Sequence, residues 1–538
     1  MTTTPSRSAA PASLSHREIL EVLAGLLSAL FVALISTTIV STALPTIIGS
    51  LEGTQTQYTW VVTASLLAMT VTGPIWSKLA DLYDKKLLVQ LSIAVFLVGS
   101  LAAGSVQNVP ELLGARAIQG LGMGGLIALS QAILGSIIPP RERGRYTGYM
   151  AATMAVATVS GPLLGGVIVD NLGWRWCFWV AVPFAVLGLY LLQRYLHVQT
   201  IRREVRIDYW GALFITIAAS LPLVWVSFAG SSYPWVSEQS AWFLGGALVA
   251  LVVVIAIERR HAEPLVPPRI ITDKMTMLAI VGSIAVGVAQ FGASVFLGQY
   301  FQVARGHTPT ESGLLMMPLI LGSMVGSAGS GAFITRTGRW KGIMLAGAAV
   351  LIAGLCLMGP TDHTTPIWQL NVLMVLIGLG TGTLMQNLVL VVQNTVDVTD
   401  IGAASGVVTF FRSLGGTVGI AVLGAVLASN VSGRIATGLA GLGIHAGGSG
   451  GSTLDLAKLP PAVVTVVRTA YADATGRIFL YAGILAVVTL CAVWLMPRAE
   501  LRTTIRKEEP AVEPVPEPGP SLERLDEPEP EEPVGAPV

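Results

Sequence analysis

The chain is organised by about fourteen long apolar runs that are separated by short polar gaps. Most runs last roughly 18–24 residues, which is long enough to cross a ~30 Å hydrocarbon layer as a helix. In lipid each segment must satisfy its own backbone N–H and C=O groups, and single runs of this length can do so only as helices. The pattern therefore predicts a polytopic all-α membrane protein. The runs begin near Ile19, Tyr58, Leu87, Leu112, Tyr146, Trp176, Tyr209, Ala241, Met275, Gly313, Gly342, Gln369, Ala403 and Ile478.

Basic residues concentrate in every second gap between the runs. The gaps at 41–57, 106–111, 229–240 and 360–368 contain no Lys or Arg, whereas most of the 32 Lys and Arg residues lie on the other side. Because the Lys- and Arg-rich side of a membrane protein faces the cytoplasm, both termini are expected there. The prediction is a multi-pass protein of the cytoplasmic membrane with an even number of spans.

The composition agrees, since 53% of the residues are hydrophobic and only 12% are charged, about half the usual share in soluble domains. Cys177, Cys356 and Cys491 are scattered, and the six His residues never stand at metal-ligand spacing, so no metal or cofactor is expected. The glycine pattern at 120–125 lies inside an apolar run and does not follow a strand, which argues against a dinucleotide site. A phosphate-binding G-x-x-x-x-G-K-[ST] motif is missing, and a net charge of +1 gives no indication of a nucleic-acid partner.

The runs divide into two sets of six with two more between them. Paired six-helix halves are typical of transporters that bind substrate near the midplane between the halves. The predicted organisation is a cytoplasmic tail at 1–17, a six-helix bundle at 18–196, a linker at 197–208, two inserted helices at 209–258, a second six-helix bundle at 275–497, and a disordered Pro/Glu-rich cytoplasmic tail at 498–538. The second bundle includes a Gly/Ser-rich external loop at 430–477, with a possible surface helix from Pro461.

Four motifs occupy characteristic places in this order of runs. They are TIVSTALP at 38–45 with WVVTA at 60–64, the basic loop at 77–86, RAIQG at 116–120 and the glycine-rich segment at 161–166, supported by WRW at 174–176 and RSLGG at 412–416. With these motifs the chain resembles the major facilitator superfamily, and more narrowly its fourteen-span branch of drug:proton antiporters. The resemblance covers roughly residues 18–497 and rests on the combined order of the motifs.

The resemblance implies a transporter and not an enzyme: two six-helix bundles plus two inserted helices that carry out multidrug efflux by alternating access. The expected partners are a small amphiphilic substrate, protons and membrane lipid, with the protein acting as a monomer. One departure weakens the proton coupling, because Ser36 stands where the family usually has an acid that is implied to carry protons. No Asp or Glu lies deep in a predicted run, so we expect a weaker preference for cationic compounds than in acid-bearing relatives.

Arg116 is the sharpest single candidate, because an Arg inside a membrane helix is costly unless it faces a partner or a polar cavity. It is expected to face the cavity or take part in coupling, or alternatively to anchor neighbouring loops by hydrogen bonds, and its possible partners are Glu111, Gln119 or a substrate oxygen. Asp81, at the cytoplasmic end of the second run, is expected to pair with nearby cations or a helix N-terminus and to lock the outward-facing state.

The fifth run combines glycine and proline in a way that favours close helix packing and a bend. Gly161, Pro162, Gly165 and Gly166 are therefore gating candidates, although ordinary small-residue packing would explain them too. The expected substrate cavity is lined by polar and aromatic side chains. These are Ser36, Thr37, Gln290, Gln299, Tyr300, Gln386, Asn387, Phe411 and Arg412.

Three alternative functions remain compatible with the sequence. The first is a dedicated exporter of a lipid, a siderophore or a self-made antibiotic. The second is an uncoupled facilitator, which Ser36 favours. The third is a membrane scaffold or receptor without transport, which would use the external loop or the acidic tail to bind partners.

Overall fold

The computed structural model describes residues 16–137, 143–196, 209–229, 233–260, 268–396, 401–441 and 460–497. The expected linker at 197–208, the tail at 498–538 and most of the tail at 1–17 lie outside these ranges. Within them the secondary structure is helical, apart from a single isolated bridge between Ala229 and Tyr233.

The first half contains seven described helices: five long ones, a short one and one of intermediate length. Thr54 begins the second long helix with a capping box, in which its hydroxyl accepts from the backbone of Gln57 and the Gln57 side chain accepts from the Thr54 backbone. Asp84 caps the third by accepting from the backbone N–H of Lys86. The helices are α1 (His16–Ser50), α2 (Gln55–Leu82), α3 (Lys85–Ser105), α4 (Val109–Ile137), α5 (Arg143–Leu172), α6 (Trp176–Trp179) and α7 (Ala181–Tyr195).

The remaining helices follow in the same manner, with a π-helical turn at Tyr300–Ala304. Gly338 takes a left-handed backbone conformation with φ of 66°, which ends a helix before the next basic gap. The helices are α8 (Tyr209–Phe228), α9 (Glu238–Arg260), α10 (Pro268–Ile271), α11 (Lys274–Gln299), α12 (Pro309–Leu315), α13 (Met317–Thr337), α14 (Lys341–Met358), α15 (Ile367–Thr395), α16 (Ile401–Gly441) and α17 (Pro461–Leu495).

Twelve segments in the described part of the chain are long and apolar enough to span a membrane. Two shorter apolar helical segments, Val156–Leu172 and Leu213–Val226, occupy the places of the fifth and seventh predicted runs. Together they account for the fourteen predicted spans, so the expected all-α membrane fold is confirmed.

The packing pairs of the first half recur in the second. In the first half α1 packs on α5 and α7, while α4 packs on α2 and α3; in the second, α11 packs on α16 and α17, while α15 packs on α13 and α14. The inserted helix α8 lies against both α2 and α16, and Trp60 of α2 stacks on Phe228 at the end of α8. The fold thus places two similar bundles side by side, with the inserted pair at one edge of their junction.

Helical structure enters the region 430–477 from both sides. Helix α16 continues to Gly441, and α17 begins at Pro461, where the sequence places a possible helix, and runs without a break into the last span. Proline is well suited to the first turn of a helix because its φ is already helical and it lacks the N–H that would be unpaired there. Arg434 and Asp473 form an ion pair between the two extensions, and Arg477 donates to Asn430 at 3.2 Å. The part at 442–459 lies outside the described residues.

Candidate functional site

Arg116 lies at the centre of a buried polar network inside the first bundle. Its side chain is 1% exposed, and its guanidinium donates to the Val61 carbonyl at 3.3 Å, to Ser65 Oγ at 2.6 Å and to Gln119 Oε1. These acceptors lie on α2 and α4, so the network joins two helices through one cation.

Gln119 extends the network to two more helices. Its amide nitrogen donates to Ser100 Oγ on α3 at 2.8 Å and to Ser36 Oγ on α1 at 3.2 Å. Gln119, Ser36 and Ser100 are each fully buried. Arg116 and Gln119 are therefore hydrogen-bonded to each other, and Ser36 belongs to their buried network rather than to an open cavity.

The Arg116 network contains no carboxylate among the residues described. Glu111, a possible partner from the sequence, instead accepts from the backbone of Gln107 at 2.9 Å and from Asn108 at 2.7 Å, which organises the turn before α4. Each acceptor of Arg116 is neutral, so the guanidinium is hydrogen-bonded but its charge is not balanced. A family acid at position 36 would have met Gln119 directly.

The glycine-rich segment of α5 contacts both bundles. A Cβ atom at Gly161 would lie 2.5 Å from Thr38 Cβ, and one at Gly165 would lie 2.9 Å from the Ile39 carbonyl, so these glycines let α5 approach α1. Gly166 faces the other bundle, where a Cβ atom would lie 2.5 Å from the Pro309 carbonyl. This segment therefore packs against α1 within its own bundle and also contacts the other bundle at the junction.

Pro162 also takes part in the junction between the bundles. A Cβ atom at Gly313 of α12 would lie 2.7 Å from the Pro162 carbonyl carbon, so backbone meets backbone here. Asp170, one turn after Gly166, accepts from the backbone N–H of Thr310 at 3.0 Å and from its hydroxyl. The end of α5 and the start of α12 are thereby joined by contact and by hydrogen bonds.

A second group of polar contacts joins α2 and α11 at the same end of the bundle junction, which is the external end in the orientation that the Lys and Arg distribution predicts. Gln55 and Gln299 exchange amide hydrogen bonds of 3.1 and 2.5 Å, and both side chains are buried. Tyr58 donates to the Val295 carbonyl at 3.2 Å, and Tyr471 of α17 donates to Gln55 at 3.3 Å. We call these four side chains, Gln55, Tyr58, Gln299 and Tyr471, the external seal.

Gln299 and Tyr300 were expected to line a cavity, but in this conformation they do not. Gln299 belongs to the external seal, and Tyr300 is 2% exposed with its hydroxyl donating to the Asp362 carbonyl at 2.6 Å. Both stand where the external ends of the helices meet. The sequence does not single out Gln55, Tyr58 or Tyr471, because a polar residue at a helix end does not indicate which distant helix will supply its hydrogen-bond partner.

The opposite halves of the same helices, toward the Lys- and Arg-rich gaps, are apart. Gly424 and Gly406 lie on one face of α16, about five turns from each other. At Gly424 a Cβ atom would lie 2.6 Å from the Thr59 methyl group of α2, whereas at Gly406 and at Gly73 of α2 it would meet nothing within 4 Å. The two bundles therefore touch at one end of the junction and separate at the other. With the Lys- and Arg-rich end in the cytoplasm, as the sequence predicts, this arrangement is an inward-facing conformation.

The other expected cavity residues differ in their surroundings. Asn387 is buried and donates to Ser330 Oγ at 2.8 Å and to the Thr383 carbonyl at 2.6 Å, so it joins α15 to α13. Gln386 is exposed, and Gln290 is half-buried with an Oε1 atom that has no hydrogen-bond partner. Thr37 is half-buried and donates to the Ala33 carbonyl of its own helix at 3.1 Å.

Arg412 is the second buried arginine. It is 9% exposed, and its Nη1 atom donates to the Met385 carbonyl of α15 at 3.0 Å. Its neighbour Phe411 is half-buried and its ring meets that of Phe410 edge to face, with 5.4 Å between the centroids. Asp81 lies in the last turn of α2, but its side chain is outside the described part, so its locking role stays a prediction.

No group of three His, Cys, Asp or Glu side chains in the described ranges is placed to hold a metal ion. Asp170 and Glu111 instead accept hydrogen bonds from backbone N–H groups and neutral side chains. The arrangement is suited to conformational exchange between bundles.

Comparisons with solved structures show the same fold. A bacterial homolog of the human lysosomal transporter Spinster, in an inward-facing and unoccupied conformation, matches with a TM-score of 0.64 at 14% identity, over 89% of this chain and 98% of that chain. The crystal structure of an auto-inhibited peptide transporter of the POT family matches with a TM-score of 0.61 at 13% identity, over 90% and 98% of the two chains.

Relatives by sequence are named transporters. An uncharacterized MFS-type transporter of Mycobacterium tuberculosis is 34% identical, over 89% of this chain and 70% of the relative. The efflux pump dotC of Dothistroma septosporum is 31% identical over 90% and 84%, and multidrug resistance protein 3 of Bacillus subtilis is 27% identical over 90% and 96%. The family model of the Major Facilitator Superfamily matches residues 26–420. With its paired bundles and buried Arg116 network, this multi-pass membrane protein belongs to the Major Facilitator Superfamily of transporters.

Proposed function

We propose that the protein exports small amphiphilic organic compounds from the cytoplasm or the inner leaflet by alternating access. It acts as a monomer in the cytoplasmic membrane, with both termini in the cytoplasm. Relatives named efflux pumps and multidrug transporters support the direction and the substrate class.

The observation that carries the proposal is the contrast between the two ends of the bundle junction. The external side is held by backbone contacts at Gly166 and Gly313 and by the external seal, while Gly73 and Gly406 face open space on the cytoplasmic side. Substrate then enters from the cytoplasm, and export requires the external contacts to break.

The external contacts are strong enough to favour the inward-facing state and weak enough to break when the protein changes to the outward-facing state. A neutral hydrogen bond contributes about 0.5–1.5 kcal/mol net, so the four bonds of the external seal contribute a few kcal/mol together. A difference of that size can be reversed by substrate that binds one state more tightly than the other.

The proton gradient is the proposed driving force. Asp170 supports this coupling, because its carboxylate accepts hydrogen bonds from Thr310 and so joins α5 to α12 across the junction that must open during transport. Ser36 supports the alternative of an uncoupled facilitator, because a hydroxyl occupies the place of the usual acid and is held by Gln119.

Inside-out vesicles that contain the purified protein test both ideas. With a fluorescent amphiphile outside, we expect accumulation in the lumen above the external concentration when the lumen is acidic, and collapse of that accumulation by a protonophore. A facilitator would only equalise the two concentrations, with or without the pH difference. Vesicles that show no uptake beyond protein-free controls would contradict transport itself.

A further inference from the structure

The guanidinium of Arg412 has more donors than partners. It carries five N–H donors, and among the residues the structure describes it makes one hydrogen bond, from Nη1 to the Met385 carbonyl. The side chain is nevertheless nine-tenths buried. A buried guanidinium with unused donors is costly unless a further acceptor reaches it.

Arg412 borders the open space between the bundles. On α16, Thr409 and Gly406 are exposed and Ser413 is half-buried, and they share the face that meets α2 further outside. Arg412 lies about one turn after Thr409, at the edge of that face. A ligand between the bundles can therefore reach Arg412 from the open side.

Apolar groups accompany this cation. Phe410 and Phe411 pack edge to face next to Arg412, and both rings are half-buried. Phe291 of α11 lies against Gly416, one turn further along α16. Aromatic rings beside a guanidinium provide an apolar wall next to an anion-binding group.

The two buried arginines of the described spans have no carboxylate partner. Two ion pairs of the described ranges, His307 with Glu311 and Arg434 with Asp473, lie away from them, at the predicted external end. Neither Arg116 nor Arg412 has a carboxylate within ion-pair distance there, and Arg116 is sealed by neutral partners. Buried charge without a counter-charge is destabilising in a low-dielectric medium, and an anionic ligand would relieve it.

We propose that Arg412 binds the anionic head group of the substrate, and that the substrates are amphiphilic organic anions with a carboxylate or sulfonate on an aromatic body. The guanidinium donates to the anion in a two-pronged arrangement, while the phenylalanine rings contact the apolar part. Arg116 adds a favourable field from the first bundle without touching the ligand. This inference rests on the proposed export function.

The test compares three dyes in inside-out vesicles: anilinonaphthalene sulfonate, its neutral congener phenylnaphthylamine, and ethidium as a cation. We expect Arg412→Gln to lower uptake of the sulfonate about tenfold or more, the size of one lost charge-assisted hydrogen bond. Uptake of the neutral congener by the variant should stay within about twofold of its uptake by the unmodified protein, a change well below the loss for the sulfonate. Retained uptake of the neutral dye also shows that the variant is correctly folded. Arg412→Lys should restore part of the sulfonate uptake because it keeps the charge.

Arg434→Gln is the matched control, since it removes a cation from the same helix at its external end, where Asp473 is the partner. It should leave uptake of all three dyes unchanged. Equal loss of sulfonate and neutral dye in Arg412→Gln would overturn the anion site and assign Arg412 a structural role. Preferential transport of ethidium by the unmodified protein would overturn it as well, while export would stand. Uptake of none of the dyes by the unmodified protein would overturn the export proposal and with it this inference.

Discussion

Replacing Gly166 with Ala should weaken the external closure between the two bundles. Gly166 on α5 faces the start of α12, and a Cβ atom there would lie 2.5 Å from the Pro309 carbonyl oxygen and 2.6 Å from the Thr310 nitrogen. The obstructing atoms are backbone, so no side-chain rotation can make room. The helices must move apart, and in this place that means separating the bundles.

The size of the effect follows from the overlap. Ordinary contacts of a Cβ atom begin near 3.4 Å, so α5 and α12 must separate by close to 1 Å. One added methyl group in a tightly packed place costs about 1–3 kcal/mol. If the outward-facing state relieves this cost, the equilibrium shifts away from the inward-facing state by about 5- to 150-fold.

Distance measurements between spin labels would detect this shift. Gln107 and Gln369 are exposed residues on the external side of different bundles, and labels there report the external opening. Cys356 and Cys491 are first replaced by Ser, while Cys177 is buried and is left in place. We expect Gly166→Ala to move the distance distribution to longer values and to slow export.

Gly114→Ala is the matched control, because a Cβ atom at this exposed position of α4 meets nothing within 4 Å. It should leave the distances unchanged and, as a helical Gly→Ala change, raise stability slightly. If Gly166→Ala gave the same distribution as Gly114→Ala with full transport, the assignment of Gly166 to the external closure would be wrong.

Three further predictions concern the rest of the site. Arg116→Ala should abolish export while the protein still inserts and purifies, since the three acceptors of the guanidinium lose their donor; full export by a well-folded variant would remove Arg116 from the mechanism. Gln55→Ala and Gln299→Ala are expected to lower the free energy of unfolding by less in the double variant than the sum of the two single effects, and thermal unfolding would measure a coupling energy of about 1 kcal/mol. Strictly additive effects would contradict a direct hydrogen bond between the two side chains. Hydrogen bonds from Thr364 hold the pKa of Asp362 below its ordinary value of 3.8, so its stabilising effect is complete at neutral pH and is lost only as the pH falls through that lowered pKa. Asp362→Asn should therefore not change the pH profile of export between about pH 5 and 8.

The region 430–477 shows what a local sequence pattern leaves out. Its glycine and serine residues predict an external loop with a possible helix from Pro461, whereas in the structure α16 also extends into the region and pairs with α17 through Arg434 and Asp473. Each extension is stabilised by the other, and a local pattern does not reveal such a contact.

The number of spans and their helical nature could be predicted from the sequence, and so could the need of Arg116 for polar partners. Span length follows from the thickness of the bilayer, and the cost of a buried charge marks Arg116 without knowledge of its surroundings. The close packing at Gly161–Gly166 was also predictable, because small residues let membrane helices approach one another closely.

Which groups meet was decided by the tertiary structure alone. Gln55 bonds to Gln299 and to Tyr471, residues that are hundreds of positions away in the sequence, and Gly166 proved to face α12 while Gly161 faces α1. Apolar length and charge are properties of a single segment, so the sequence by itself determined the membrane fold. The external seal depends on which helices face each other across the two bundles, and this arrangement is defined only by the packing of the fourteen spans.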